Sequence, residues 1–285
     1  MSEGLWSSLA SLIRLSNQSG TWLLMLPTLW ALILASQGNP PAGLLLIFAA
    51  GSFLMRSAGV VFNDMADRAF DRQVTRTRSR PLASGALGLP AALATAGVLI
   101  ALAAGLLSFL NTFTLLLSPV ALALAALYPF SKRIIQLPQA VLGMAFGWGV
   151  VMAWAAVRNS LGAPAWLLYG STICWAIAYD TIYALQDREE DARIGVKSAA
   201  ILFGARTWLA VGIALGGMLL LLGLAGWLLG LGAVFYGMLA AVGGFFSQQV
   251  RTLRGSVSPA VALAMFNQHI WAGVAILAGL WLGCL

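Results

Sequence analysis

Apart from Glu3, the nine acidic residues of this 285-residue chain fall in two short stretches. The first reads Asn63-Asp64-Met65-Ala66-Asp67-Arg68-Ala69-Phe70-Asp71. The second runs from Asp180 through Tyr183 to Asp187-Arg188-Glu189-Glu190-Asp191. At about 100° per residue, Asn63, Asp67 and Asp71 step down one face of a helix. Asp187 and Asp191 are one turn apart, and Asp180 lies two turns earlier on nearly the same face. Stacked carboxylates repel, and the penalty grows at the rim of a low-dielectric medium, so something positive must compensate. Two facing helices offering Asp64, Asp67, Asp71, Asp187 and Asp191, with the amide oxygen of Asn63, make a hard, oxygen-rich ligand set suited to Mg²⁺. Magnesium shares its shell with substrate phosphates, which makes a diphosphate the natural third party. The competing reading is an interfacial salt-bridge network with the interleaved Arg68, Arg72, Arg188 and Arg193. Two matched clusters, each continued by an intramembrane charge, favour the metal.

Basic residues follow both stretches. Arg72 and the run Arg76-Thr77-Arg78-Ser79-Arg80-Pro81 come after the first, Lys197-Ser198 after the second, and Lys132-Arg133 stand four and five residues beyond Tyr128. Beside a Mg²⁺ site such side chains hold phosphoryl oxygens; elsewhere they signal topology or meet anionic headgroups. Lys132 is assigned to the diphosphate, and Arg78, Arg251 and Arg254 to the blander role. Arg56 lies well inside an apolar run, where an arginine normally faces a cavity or a partner. Two roles are open to it: a bridge to Asp180, or contact with an anionic group on a second substrate. His269, alone on an apolar face, is assigned to packing.

These residues must be positioned by a membrane-embedded scaffold. The chain is 60% hydrophobic and only 9% charged, with a mean hydropathy of +0.89. That excludes a soluble enzyme, a disordered chain and a nucleic-acid binder, despite the net charge of +7. Cys174 and Cys284 offer no disulfide framework and no metal spacing. Apolar runs long enough to cross a bilayer fall near 20–37, 43–62, 90–109, 112–130, 139–157, 164–185, 207–228, 231–247 and 260–283, giving nine expected transmembrane helices. Ahead of them, Trp6, Leu9 and Ile13 share a helical face suited to the membrane interface, and no cleaved signal peptide is expected. Of the 16 basic residues, all but Arg56 and Arg158 then fall on one side. The positive-inside rule makes that side cytoplasmic, with the N-terminus and both acidic stretches there and the C-terminus opposite.

At its acidic stretches the chain resembles the UbiA family of intramembrane aromatic prenyltransferases. Asn63, Asp64, Asp67 and Asp71 fit that family's N-D-x-x-D-x-x-x-D pattern, and Asp187 and Asp191 its D-x-x-x-D. Arg56-Ser-Ala-Gly59, Thr77-Arg-Ser-Arg-Pro-Leu-Ala-Ser-Gly85, Tyr128-Pro-Phe-Ser-Lys132-Arg133 and Tyr179-Asp180-Thr-Ile-Tyr183 are similar to its 4-hydroxybenzoate branch in particular. The close matches cover roughly a quarter of the chain.

The resemblance implies a single all-α transmembrane domain over residues 1–285, with a lipid-open cavity capped by the cytoplasmic loops after the second and sixth helices. It implies Mg²⁺-dependent transfer of a polyprenyl group from polyprenyl diphosphate to 4-hydroxybenzoate, in ubiquinone biosynthesis at the bacterial inner membrane. Asp67, Asp71, Asp180, Asp187 and Asp191 would be the catalytic carboxylates. Arg56, Asn63, Arg72, Tyr128, Lys132, Tyr183 and Lys197 would contact substrate, with Asp180 orienting or deprotonating the phenol and Arg56 holding the carboxylate. No obligate protein partner is expected beyond the lipid. Homogentisate, a dihydroxynaphthoate or a haem precursor stay open as acceptors. CDP-alcohol phosphotransferases are discounted because the chain has no Asp-Gly, and a cation transporter because no polar route reaches the far side.

Overall fold

The structure is a computed structural model that describes residues 2–285. Its helices are α1 (Ser2–Leu12), α2 (Ser19–Ala35), α3 (Ala42–Asp71), α4 (Pro81–Ser84), α5 (Leu89–Leu107), α6 (Thr112–Ile134), α7 (Pro138–Arg158), α8 (Ala163–Tyr183), α9 (Arg188–Ile194), α10 (Ala199–Phe203), α11 (Thr207–Leu228), α12 (Ala233–Thr252) and α13 (Pro259–Gly283). No strand occurs among the described residues. The long helices occupy the segments that hydropathy marks out. Seven candidate spans are long and apolar enough to cross a bilayer: α3, α5, α6, α7, α12, α13 and the run of α10 into α11. Of the two other expected spans, α2 is a shorter apolar helix of 17 residues. The other, α8, has its apolar run diluted by Ser171, Thr172, Asp180 and Thr181.

Helix α8 sits centrally, packed on α7, α11 and α13. Its approach to α7 depends on Gly143 and Gly147, one turn apart on the facing surface. A Cβ at Gly143 would lie 2.8 Å from Ile173 Cα, and one at Gly147 would lie 2.9 Å from the Tyr169 ring. Small residues at this spacing let membrane helices close on one another. Trp30, Trp175, Tyr179, Phe235 and Phe246 are the largest fully buried side chains of the core. His269 is buried among them and accepts from Trp175 Nε1 at 2.8 Å. Helices α5 and α6 present most of their apolar surface outward, Leu102, Leu116 and Leu127 among it, as a lipid-facing wall does.

Helix α3 is 30 residues long. At 1.5 Å per residue that is about 45 Å, against about 30 Å of hydrocarbon, so α3 is longer than an upright span needs by about ten residues, and Asn63 to Asp71 occupy its C-terminal part. The second stretch is built differently from the continuous helix its spacing suggests. Helix α8 stops at Tyr183, a single 3₁₀ turn covers Ala184–Gln186, and α9 restarts at Arg188. Gly195 ends α9 in the left-handed conformation, at φ 78°. The one-turn spacing survives: the Asp191 amide donates to the Asp187 carbonyl at 2.8 Å. In helix α1, Trp6 is 71% exposed, while Leu12 is fully buried with Leu9 and Ile13 packed beside it.

Candidate active site

Two spaces meet at the ends of α3, α6 and α8. The larger is an apolar cavity of about 580 Å³, walled by residues such as Leu24, Phe48, Ile100, Leu107, Leu122 and Phe146. The smaller, of about 180 Å³, is polar and lies between the segments that follow α3 and α8. Asn63, Arg80, Tyr128, Asp180 and Tyr183 line both. Asp67, Asp71, Lys132, Asp187, Asp191 and Lys197 line the smaller space alone, and Arg56 and Asp64 the larger. Arg72 lines neither; it is exposed and donates through Nε to the Ala83 carbonyl at 3.0 Å.

Most of the motif carboxylates have a basic partner. Lys132 Nζ bonds to Asp67 Oδ2 and lies 3.4 Å from Asn63 Oδ1. Arg80 reaches Asp71 at 2.9 Å and Asp64 at 3.2 Å. One guanidinium can span both because residues seven apart return to the same helical face. Arg14 forks onto Asp64 at 2.8 and 2.9 Å. Across the two segments, Arg76 Nε donates to Asp187 at 2.9 and 3.0 Å, and its Nη1 to the Tyr183 hydroxyl at 3.0 Å. Thr75 is tied to Glu190 through its amide at 3.0 Å and its hydroxyl at 2.8 Å. Asp191 has no ion-pair partner among the described residues. Burial, then the charge of Asp187, raises its carboxyl to about 6. Lys197 donates to the Ile134 carbonyl at 2.9 Å, and Gln139 accepts from the Ala199 amide at 3.0 Å, fixing the floor of the polar space.

The expected oxygen cage is therefore only partly assembled. Among the described residues no three carboxylate, histidine or cysteine side chains converge tightly enough to hold a metal ion. Buried carboxylates require nearby positive charge, and here arginine and lysine supply it. Asp64 stands apart because it lines the apolar cavity and not the smaller space, and its carboxylate is held by Arg14 and Arg80. The donors around the smaller space nonetheless suit Mg²⁺ in kind: five carboxylates and the amide oxygens of Asn63 and Gln139. One of them, Asp67 Oδ1, is buried with no hydrogen-bond partner, an acceptor that a cation would satisfy.

Of the two roles open to Arg56, the bridge to Asp180 is not formed; no carboxylate lies within 4 Å of Arg56 among the described residues. Its Nε is buried and without a hydrogen-bond partner. Sequence reasoning passed over Arg14, Arg76, Arg80 and Gln139 as site residues. The alternation of Arg76, Arg78 and Arg80 held a usable signal, since the outer two bond to motif carboxylates and Arg78 does not. Nothing local in the sequence singles out Arg14 or Gln139.

The UbiA prenyltransferase family model matches residues 24–273. The chain is 45% identical over 285 residues to the 4-hydroxybenzoate octaprenyltransferase of Sodalis glossinidius, spanning 100% of this chain and 98% of the relative. To the enzyme of that name from Tolumonas auensis it is 48% identical over 279 residues, spanning 98% and 97%. Among solved structures, an apo UbiA homolog from Aeropyrum pernix K1 superposes with a TM-score of 0.77 at 27% identity, covering 92% of this chain and 98% of that one. A UbiA homolog from Archaeoglobus fulgidus bound to DMAPP and Mg²⁺ shares the fold at a TM-score of 0.71 and 16% identity, covering 95% and 99%. Because the family match runs from α2 into α13 and takes in both acidic stretches, this chain belongs to the UbiA prenyltransferase family.

Proposed function

We propose that the protein transfers a polyprenyl group from polyprenyl diphosphate to the ring carbon ortho to the hydroxyl of 4-hydroxybenzoate, the alkylation that serves ubiquinone biosynthesis. The observation that carries this reading is the junction: an apolar cavity opens onto a polar space lined by carboxylates and cations from two different segments. The names of whole-length relatives, with their octaprenyl donor, support the acceptor and the donor class. We place the nine long helices across a bacterial inner membrane, with the polar space at the cytoplasmic edge and the C-terminus opposite.

Asn63, Asp67, Asp71, Asp187 and Asp191 would hold Mg²⁺ there. Bound, the ion neutralises the diphosphate and makes it a better leaving group. Lys132, Arg76, Arg80 and Lys197 are placed to donate to phosphoryl oxygens, so the charge that leaves with the diphosphate is met by fixed cations. Asp67, Asp71 and Asp187 would each give up their basic partner on substrate binding, the base taking phosphate. Asp64 keeps a structural role, holding Arg14 and Arg80.

The prenyl chain lies in the apolar cavity. Its walls keep water from the allylic cation formed as the C–O bond breaks, so the aromatic ring is the nucleophile at hand. Arg56, with an unpartnered buried Nε on that cavity, binds the acceptor's carboxylate. Asp180, lining both spaces beside Tyr128 and Tyr183, orients the phenol and receives its proton as the ortho carbon attacks; the hydrogen on that carbon then leaves as a proton and the oxygen is reprotonated, which restores the aromatic phenol. The test is to incubate membranes containing the protein with geranyl diphosphate and 4-hydroxybenzoate, with and without EDTA, and weigh the product. A prenylated hydroxybenzoate formed only without EDTA is expected. Product with homogentisate or dihydroxynaphthoate but not with 4-hydroxybenzoate would overturn the acceptor.

A further inference from the structure

The first turn of α2 meets α3 where a side chain would not fit. A Cβ built on Gly20 would lie 2.6 Å from Nη2 and 2.8 Å from Cζ of Arg56. Both distances are far inside the roughly 3.5–4 Å of an ordinary contact. The three nearest atoms it would meet all belong to the Arg56 guanidinium, the free end of a flexible side chain. A methyl group at this position would therefore displace the guanidinium and leave the helices where they are. Glycine is among the least favourable residues within a helix, and Gly20 is not in a left-handed conformation that would require it. Both residues line the apolar cavity, and Arg56 is held there by no carboxylate.

We propose that Gly20 is a positioning residue: its missing side chain lets the Arg56 guanidinium lie against the α2 backbone, and that seat fixes where an aromatic acid places its carboxylate. The inference rests on Arg56 as the acceptor's anchor, proposed above. Substrate orientation follows from it, because moving the cation by even about 1 Å misplaces the ring carbon relative to the allylic centre.

The test uses the full chain in nanodiscs, with steady-state kinetics for both substrates and thermal melting for Gly20→Ala, Arg56→Gln and the double variant. Gly20→Ala should raise the 4-hydroxybenzoate KM about tenfold or more, since it disturbs a charge-assisted contact. The geranyl diphosphate KM should hold, and Tm should stay the same or rise, because alanine favours the helix. In the Arg56→Gln background the same change should add less than about twofold, the non-additivity expected of groups acting as one. An unchanged acceptor KM in Gly20→Ala, an equal effect in both backgrounds, or a lowered Tm with both KM values raised would overturn the proposal. If Arg56→Gln itself leaves the acceptor KM unchanged, the anchor assignment fails, which is distinguishable from failure of Gly20 alone.

Discussion

Replacing Asp64 by asparagine separates the two jobs that neighbouring motif carboxylates do. The Asp64 side chain is 1% exposed and is held by Arg14, 24% exposed, and Arg80, 19% exposed. Charge-assisted hydrogen bonds of this kind contribute about 1.5–3 kcal/mol each when well formed. Partial exposure of both arginines, and the one acceptor that asparagine retains, reduce the sum to about 2–3 kcal/mol. For a chain of this size that corresponds to a fall in Tm of about 3–5 °C. The assay pairs a melting curve in detergent with a Mg²⁺ titration of the initial rate. Asp64→Asn should melt lower while its half-saturating Mg²⁺ stays within about twofold of the parent, as for a group outside the metal's shell. A variant that keeps its Tm but needs about tenfold more Mg²⁺ would place Asp64 among the ligands and refute the reasoning.

Two further outcomes follow from the polar space. Asp191 titrates near 6, raised by burial and by Asp187. Its ligating, deprotonated form is then dominant above that pH and is lost below it, so protons compete with metal on acidification. Half-saturating Mg²⁺ should rise about tenfold between pH 7 and pH 5, and a flat profile would contradict the assignment. Lys132→Met removes the cation bonded to Asp67 and should lower kcat by about 100-fold with the acceptor KM little changed; an unaltered kcat would take Lys132 out of phosphate contact.

Much of the scaffold was legible in the sequence because hydropathy and helical period are properties of single segments. The long apolar runs appear as helices, and Asn63, Asp67, Asp71, Asp180, Asp187 and Asp191 reach one place because the first three lie in the C-terminal part of α3, Asp180 in the last turn of α8, and Asp187 and Asp191 in the segment that follows α8. What escaped depends on contacts between distant segments. Arg14 meets Asp64 from 50 residues away and Arg76 meets Asp187 from 111, and no periodicity within either segment encodes those pairings. The 3₁₀ break after Tyr183 was hidden because i to i+4 spacing looks the same whether the helix continues or restarts at Arg188. The seat of Arg56 on Gly20 is set by how α2 crosses α3, and a glycine in an apolar run carries no sign of it.

In the proposed reaction, carboxylates from two separate segments jointly hold one magnesium–diphosphate complex. The most direct test is calorimetric titration of Mg²⁺ into purified protein saturated with unreactive geranyl thiodiphosphate, for the parent, Asp67→Asn on α3 and Asp191→Asn on α9. Both variants should bind Mg²⁺ about tenfold or more weaker than the parent while remaining folded. Parent-like affinity in either one would show that a single segment suffices and would contradict the account.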